Sequence, residues 1–94
     1  MLSKIPIDLT KVQKNDINKE ILRAAIIAEL DAINLYEQMA ALTTNENIKK
    51  ILLDVAKEEK THVGEFQTLL LREDKEQMNE LEHGKEEVEE ITGI

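Results

Sequence analysis

The sequence predicts an all-α protein: an antiparallel hairpin of two long helices and a short C-terminal helix, forming half of a four-helix bundle that dimerisation completes. Charged residues make up 34% of the 94 residues and aromatic residues only 2%, a composition typical of long helices. Apolar residues recur at alternating spacings of four and three in two long segments, which places them on one side of a helix. Because two helices share a single seam and cannot enclose a core, we expect a second copy of the chain to cover the remaining apolar surface.

The first half of the hairpin follows an irregular N-terminal segment. Residues 1–15 contain the only proline and no sustained period, so we interpret them as an extended arm. Helix 1 is expected to begin after Asn15 or Asp16, either of which can accept hydrogen bonds from the free amides of a first turn. It should run to about Leu42, and the hairpin as a whole should occupy residues 16–73.

Helix 2 should follow the break in the apolar pattern at residues 43–45. Thr44 or Asn45 is expected to cap it, with Glu46 favourable near its positive end. The pattern continues to about Glu73.

The last part of the chain, residues 74–94, is predicted to form a short C-terminal helix and a tail. The helix is expected over residues 74–82, ended by His83 and Gly84 in a C-cap arrangement. Residues 85–91 should add one or two turns, and residues 92–94 a small apolar end.

Three polar residues interrupt the apolar stripes that should face the core. Glu29 occupies such a position in helix 1, and Glu59 and His62 occupy two in helix 2. The stripes run Leu22, Ile26, Glu29, Ile33, Tyr36, Ala40 in helix 1 and Ile48, Leu52, Val55, Glu59, His62, Phe66, Leu69 in helix 2. Because an inward-facing carboxylate without a partner is costly, two of them beside an imidazole indicate a metal site.

The register of the hairpin brings these three side chains to one point. Glu29 lies fifteen residues before Thr44 and Glu59 fifteen residues after it, so both lie about 22 Å from the turn at about 1.5 Å rise per residue. His62 is three residues beyond Glu59 and shares its side of the helix. All three side chains can therefore reach the same ion.

One hairpin supplies too few donors for a closed site. A two-fold axis through the site doubles the set to four carboxylates and two imidazoles, which is the set of carboxylate-bridged di-iron and di-manganese bundles. The alternative interpretation places Glu29 and Glu59 at a helix boundary and makes His62 a hydrogen-bonded core residue. Tyr36 lies two turns beyond Glu29. It either donates a hydrogen bond to a ligand carboxylate or simply packs against neighbouring apolar side chains.

Composition excludes several other classes of site and partner. The chain has no cysteine, which excludes disulfides, thiolate zinc sites, iron–sulfur clusters and a rubredoxin-type iron centre within it. A net charge of −8 without a basic patch argues against nucleic-acid binding. No apolar run approaches the ~20 residues of a membrane span, and the first residues lack the long apolar core of a secretory signal, so a cytoplasmic location is expected.

The segments Glu-Leu-Asp-Ala-Ile-Asn-Leu-Tyr at residues 29–36 and Glu-Glu-Lys-Thr-His at residues 58–62 resemble those of the encapsulated ferritins, short ferritin-like proteins housed in encapsulin shells. The resemblance covers about residues 16–75. It implies half of a ferritin-like bundle and a ferroxidase site that forms only when two chains associate. By position it implies that Glu29, Glu59 and His62 are iron ligands, with Tyr36 beside them as a further catalytic residue.

The same resemblance carries expectations about metal, assembly and partners. It implies two irons per dimer, with manganese, zinc or calcium as substitutes, a homodimer that assembles into a ring of five dimers, and an encapsulin shell protein as partner inside a cytoplasmic nanocompartment. Members of the family often carry an acidic residue just before the first ligand, as part of the route for iron, where this chain has Ala28. Residues 90–94 resemble the junction at which archaeal members are fused to the shell protein, so the chain is either a separate cargo protein or an excised domain.

The function predicted from the site and the resemblance is ferroxidase activity that feeds an iron store. Two alternatives remain open from the sequence. One is a rubrerythrin-like protein that detoxifies peroxide with the same di-iron site and an external electron donor. The other is a non-catalytic assembly module whose metal locks the dimer.

Overall fold

The computed structural model describes residues 8–11 and 13–94, and within them every regular element is helical. A 3-10 turn at Leu9–Lys11 precedes three α-helices. These are α1 (Ile17–Leu42), α2 (Glu46–Glu73) and α3 (Lys75–Thr92). The all-α hairpin with a third helix at its C-terminal end is thereby confirmed.

Part of the predicted arm is helical rather than extended. The Asp8 carboxylate accepts a hydrogen bond from the Thr10 amide at 3.1 Å and another from the Thr10 hydroxyl, the arrangement by which aspartate initiates a turn. Residues 14–16 of the described chain form a turn before α1, and residues 1–7 and 12 lie outside the described residues.

The ends of α1 and α2 lie where the sequence predicts them, with one difference in capping. Asn45 caps α2, because its side-chain oxygen accepts hydrogen bonds from the amides of Asn47 and Ile48 at 3.0 Å each. Asp16 holds the capping position of α1, but its side chain accepts no hydrogen bond from the first turn. The Asp16 carboxylate instead lies 3.6 Å from the ammonium of Lys19.

The predicted end of the third helix at His83 and Gly84 is wrong. α3 continues through both residues for 18 residues in all, and Gly93 ends it with a φ of 75°. A glycine within a helix costs about 1 kcal/mol relative to alanine, and the surrounding glutamates, lysines and leucine favour helix enough to outweigh that. The left-handed conformation that favours glycine is needed only at Gly93.

The two long helices pack antiparallel along one seam. Ile33 and Ala40 of α1 and Ala56 and Leu70 of α2 are its buried residues. α3 has no buried residue. It turns away at Asp74, so that the molecule measures 46 × 43 × 20 Å, and none of the described helices is long and apolar enough to cross a membrane.

Candidate metal centre

The hairpin brings Glu29, Glu59 and His62 together at mid-height. The His62 Nδ1 atom lies 3.5 Å from Glu29 Oε2 and 3.4 Å from Glu59 Oε2. One donor atom from each residue lies within 4.8 Å of the other two, and no other group of three such donors is found in the part of the chain that the structure describes. The two glutamates therefore do not mark a helix boundary, since both lie within continuous helices.

The three side chains differ in their exposure to solvent. Glu29 and Glu59 retain 18% and 19% of their side-chain surface, whereas His62 retains 43%. The carboxylates thus lie against the seam while the imidazole lies towards its open side. The cluster is therefore partly enclosed by its own chain, and His62 is its most exposed member.

One carboxylate oxygen in this cluster lacks a hydrogen-bond donor. Glu29 Oε2 is shielded from solvent and accepts no hydrogen bond from the described residues, and its distance of 3.5 Å from His62 Nδ1 exceeds that of a normal hydrogen bond. A buried acceptor left in this way costs about 1–3 kcal/mol. A bound cation would supply the missing partner, so the donor set fits a metal ion.

The nature of the donors narrows the choice of metal. Two carboxylates and one imidazole, without a thiolate, form an oxygen-and-nitrogen set suited to iron, manganese or zinc. Three donors from one chain, one atom each, leave three positions of a six-coordinate ion open. A second copy of the cluster is the simplest source of further donors of the same kind.

Tyr36 lies on the same stripe but outside the cluster. It is half-buried in α1, about 10 Å along the helix from Glu29 at the usual rise per residue. Its hydroxyl forms no hydrogen bond to any of the described residues. Within one chain, therefore, the structure does not connect Tyr36 to either carboxylate.

The position before the first glutamate carries no donor. Ala28 and Asp31 are both half-buried in α1, while Glu58 and Glu65 are exposed on α2. The chain therefore lacks the acidic residue that the family often has at position 28.

Two ion pairs that the sequence did not predict link the elements around the cluster. Lys60 Nζ lies 3.0 Å from Glu37 Oε2, and Arg23 donates to Asp74 Oδ2 at 2.8 Å. The first joins α1 to α2, and the second joins α1 to the corner between α2 and α3. Both pairs are compatible with the antiparallel register in which Glu29 lies opposite Glu59.

Comparisons with known proteins agree with this fold. The model of the rubrerythrin family matches residues 20–92. The crystal structure of the encapsulated ferritin domain from Pyrococcus furiosus superposes with a TM-score of 0.86 at 60% identity, over 100% of this chain and 98% of that one.

Two curated relatives are longer than this chain. A ferritin-like–encapsulin shell fusion protein of Pyrococcus furiosus is 71% identical over 75 residues, which are 80% of this chain and 22% of that protein. The encapsulin nanocompartment cargo protein EncC of Myxococcus xanthus is 47% identical over 68 residues, which are 72% of this chain and 50% of that protein. The chain thus aligns with only part of each, and it belongs to the rubrerythrin family and, within the ferritin-like fold, to the encapsulated ferritins.

Proposed function

We propose that the chain is a ferroxidase, which oxidises Fe(II) to Fe(III) at a di-iron site formed between two copies. Glu29, Glu59 and His62 of each copy would supply the ligands. The observation that carries the proposal is the shielded Glu29 Oε2, which accepts no hydrogen bond although it lies between a second carboxylate and an imidazole. The membership of the rubrerythrin family supports a di-iron site of this type.

The chemistry of the donors suits iron as a substrate that enters, reacts and leaves. Two Fe(II) ions supply two electrons, which reduce dioxygen to hydrogen peroxide with two protons, or reduce hydrogen peroxide to two waters with two protons. Four carboxylates balance the charge of two ferrous ions. After oxidation the charge of the two ferric ions would exceed that of the four carboxylates by two, which favours release of ferric iron when more ferrous iron arrives.

A protein of this size needs a separate place for the product. A ring of five dimers, as the family implies, would be built from hairpins that have no four-helix unit of their own. The two curated relatives are named for an encapsulin shell or its cargo, which supports an encapsulin shell as the partner and its interior as the iron store.

The test compares ferrous oxidation by the wild type with that of ligand variants. Glu59→Ala and His62→Ala should each lose most of the activity, at least tenfold, while circular dichroism shows unchanged helix content. Glu58→Ala, which removes the exposed neighbouring carboxylate, is the matched control and should keep the wild-type rate. Near-normal oxidation by either ligand variant would remove that residue from the site.

The rubrerythrin family match also favours a second candidate, reduction of peroxide. Since the chain has no cysteine, it holds no rubredoxin-type centre, and a peroxidase would need an external electron donor. Oxidation of many ferrous ions per chain without such a donor supports the ferroxidase. Turnover of peroxide only when a donor is added supports the peroxidase, and tight metal without any turnover supports a structural module.

A further inference from the structure

The corner between α2 and α3 consists of a single residue. Asp74 follows the last residue of α2 and also holds the capping position of α3, and its φ of −138° and ψ of 90° are those of extended backbone. Residues 71–78 around it contain neither glycine nor proline. All of them except Asp74 are good helix formers. Helix propensity alone therefore does not require a break at this point of the chain.

The backbone hydrogen bonds of the two helices almost join across the corner. The Asp74 amide donates to the Leu70 carbonyl at 2.9 Å, as it would in a longer α2, and the Met78 amide donates to the Asp74 carbonyl at 3.3 Å. A continuous helix would need only the bonds from the amides of residues 75–77 in addition. One of these amides, that of Gln77, donates instead to Asp74 Oδ1 at 3.1 Å.

The carboxylate of Asp74 uses both of its oxygens to hold the bend. Oδ1 caps the first turn of α3, and Oδ2 accepts a hydrogen bond from the Arg23 guanidinium of α1 at 2.8 Å. A residue caps a helix only while its own backbone is not helical, so the cap and a continuous helix exclude each other. Arg23 orients the carboxylate and thereby favours the cap.

No other packing within the described chain determines the direction of α3. Among the described elements α3 contacts only α2, and it has no buried residue. Two packed helices span about 20 Å and α3 is about 27 Å long, so the second dimension of the molecule, 43 Å, includes most of the length of α3. α3 therefore leaves the hairpin at a steep angle that depends on one side chain.

We propose that Asp74 is a hinge that its own carboxylate holds in the bent conformation. While the carboxylate caps α3 and binds Arg23, α2 and α3 are separate helices. When these interactions are lost, Asp74 becomes helical and the two merge into one helix from Glu46 to Thr92, about 70 Å long at about 1.5 Å rise per residue. The hinge thus determines where α3, with its seven glutamates, stands relative to the hairpin.

The test measures the distance between two points on either side of the corner in the full chain. Because the chain has no cysteine, Lys57→Cys with Glu90→Cys places spin labels at exposed positions of α2 and α3, and double electron–electron resonance gives their separation. Labelled chain is mixed with an excess of unlabelled, metal-free chain, so that only distances within one chain are recorded. The two positions would lie about 50 Å apart in a straight helix and about 35 Å apart across a right-angled corner.

Wild type should give the short distance alone. Asp74→Ala, which removes both interactions of the carboxylate, should give the long distance, a gain of about 15 Å. Asp74→Val should do the same, because valine cannot cap and favours helix no more than aspartate does. Arg23→Ala keeps the cap but frees the carboxylate, so both distances should occur. Lys75→Ala, a change of the next residue that leaves these interactions intact, is the matched control and should match wild type.

Circular dichroism of the same samples separates merging from loosening of the corner. A merged helix keeps or raises the helix content and gives a narrow distribution at the long distance. Persistence of the short distance in both Asp74 variants, a broad distribution in them, or the long distance in wild type would each overturn the proposal. Since metal is absent from the measurement and no variant alters Glu29, Glu59 or His62, the outcome is independent of the ferroxidase proposal.

Discussion

At the scale of single residues, Glu29 is expected to lower the stability of the fold while it serves as a ligand of the proposed metal site. Its shielded Oε2 accepts no hydrogen bond from the described residues, and His62 Nδ1 lies too far away to supply a normal one. A buried polar group in this state destabilises the fold. At the proposed site, binding of a cation would remove that cost.

Replacement of Glu29 should therefore have opposite effects on stability and activity. In the metal-free protein Glu29→Ala should raise the free energy of unfolding by about 1 kcal/mol, because the unsatisfied carboxylate is gone. Urea unfolding measures this, with Glu58→Ala as the exposed control, which should change little. The same variant should lose ferrous oxidation. A fall in metal-free stability would mean that Glu29 already has a partner in the apo protein.

At the scale of the elements, the corner at Asp74 determines where α3 points. The Asp74 side chain accepts a hydrogen bond from the Gln77 amide at 3.1 Å, and this bond caps α3. It accepts a second one from the guanidinium of Arg23 in α1 at 2.8 Å. The hydrogen bond from the Gln77 amide lowers the pKa of the Asp74 carboxyl below its ordinary value of 3.8. Partial burial of the carboxyl acts in the opposite direction. The hydrogen bond from Arg23, and the positive charges of Lys19 and Arg23, lower the pKa further. Only 12% of its side chain is exposed.

The lowered pKa of Asp74 predicts how acid affects stability. A carboxyl whose folded-state pKa is depressed stabilises the fold above its unfolded pKa, and this contribution is lost as pH falls through the folded value. Asp74→Asn keeps a capping oxygen but removes the charge. Wild type should therefore be more stable than Asp74→Asn at neutral pH. The difference should shrink as pH falls below the ordinary carboxyl pKa of 3.8 and disappear once pH is below the lowered pKa of folded Asp74.

Urea unfolding at a series of pH values measures this difference. Asp74→Ala, which also removes the cap, should remain less stable than wild type even in acid. A difference between wild type and Asp74→Asn that is the same at every pH would show that charge at the corner is unimportant.

The elements also show which features the sequence could predict. The side chains of Glu29 and Glu59 lie close together, as expected, because both residues are equally far from the turn in sequence. The pairs Glu37–Lys60 and Arg23–Asp74 were missed because their partners differ by nine residues in distance from Thr44. Side chains lean towards the N-terminus of their helix. In this antiparallel pair, a side chain of α1 therefore leans away from the turn and one of α2 leans towards it. A residue of α1 can thus reach a residue of α2 that lies farther from the turn. The length of α3 was underestimated because Gly84 was interpreted as a helix end, whereas Gly93 has the required positive φ.

At the scale of the whole molecule, the chain is too small and too open to store a mineral. Its longest dimension is 46 Å and its thinnest 20 Å, and its buried residues lie along one seam. The isolated protein should oxidise added ferrous iron but precipitate the product at high loading. Turbidity and particle mass measure this, and addition of an encapsulin shell that takes up the chain should keep the iron soluble. Soluble cores of hundreds of iron atoms without a shell would disprove it.

The central claim is that two copies of Glu29, Glu59 and His62 form one di-iron site. Native mass spectrometry during a ferrous titration tests it most directly. Iron should bind in steps of two per pair of chains, each step accompanied by pairing that the unloaded protein lacks, and Glu59→Ala should abolish both. A single chain that binds two irons by itself, without any change in association, would contradict the claim.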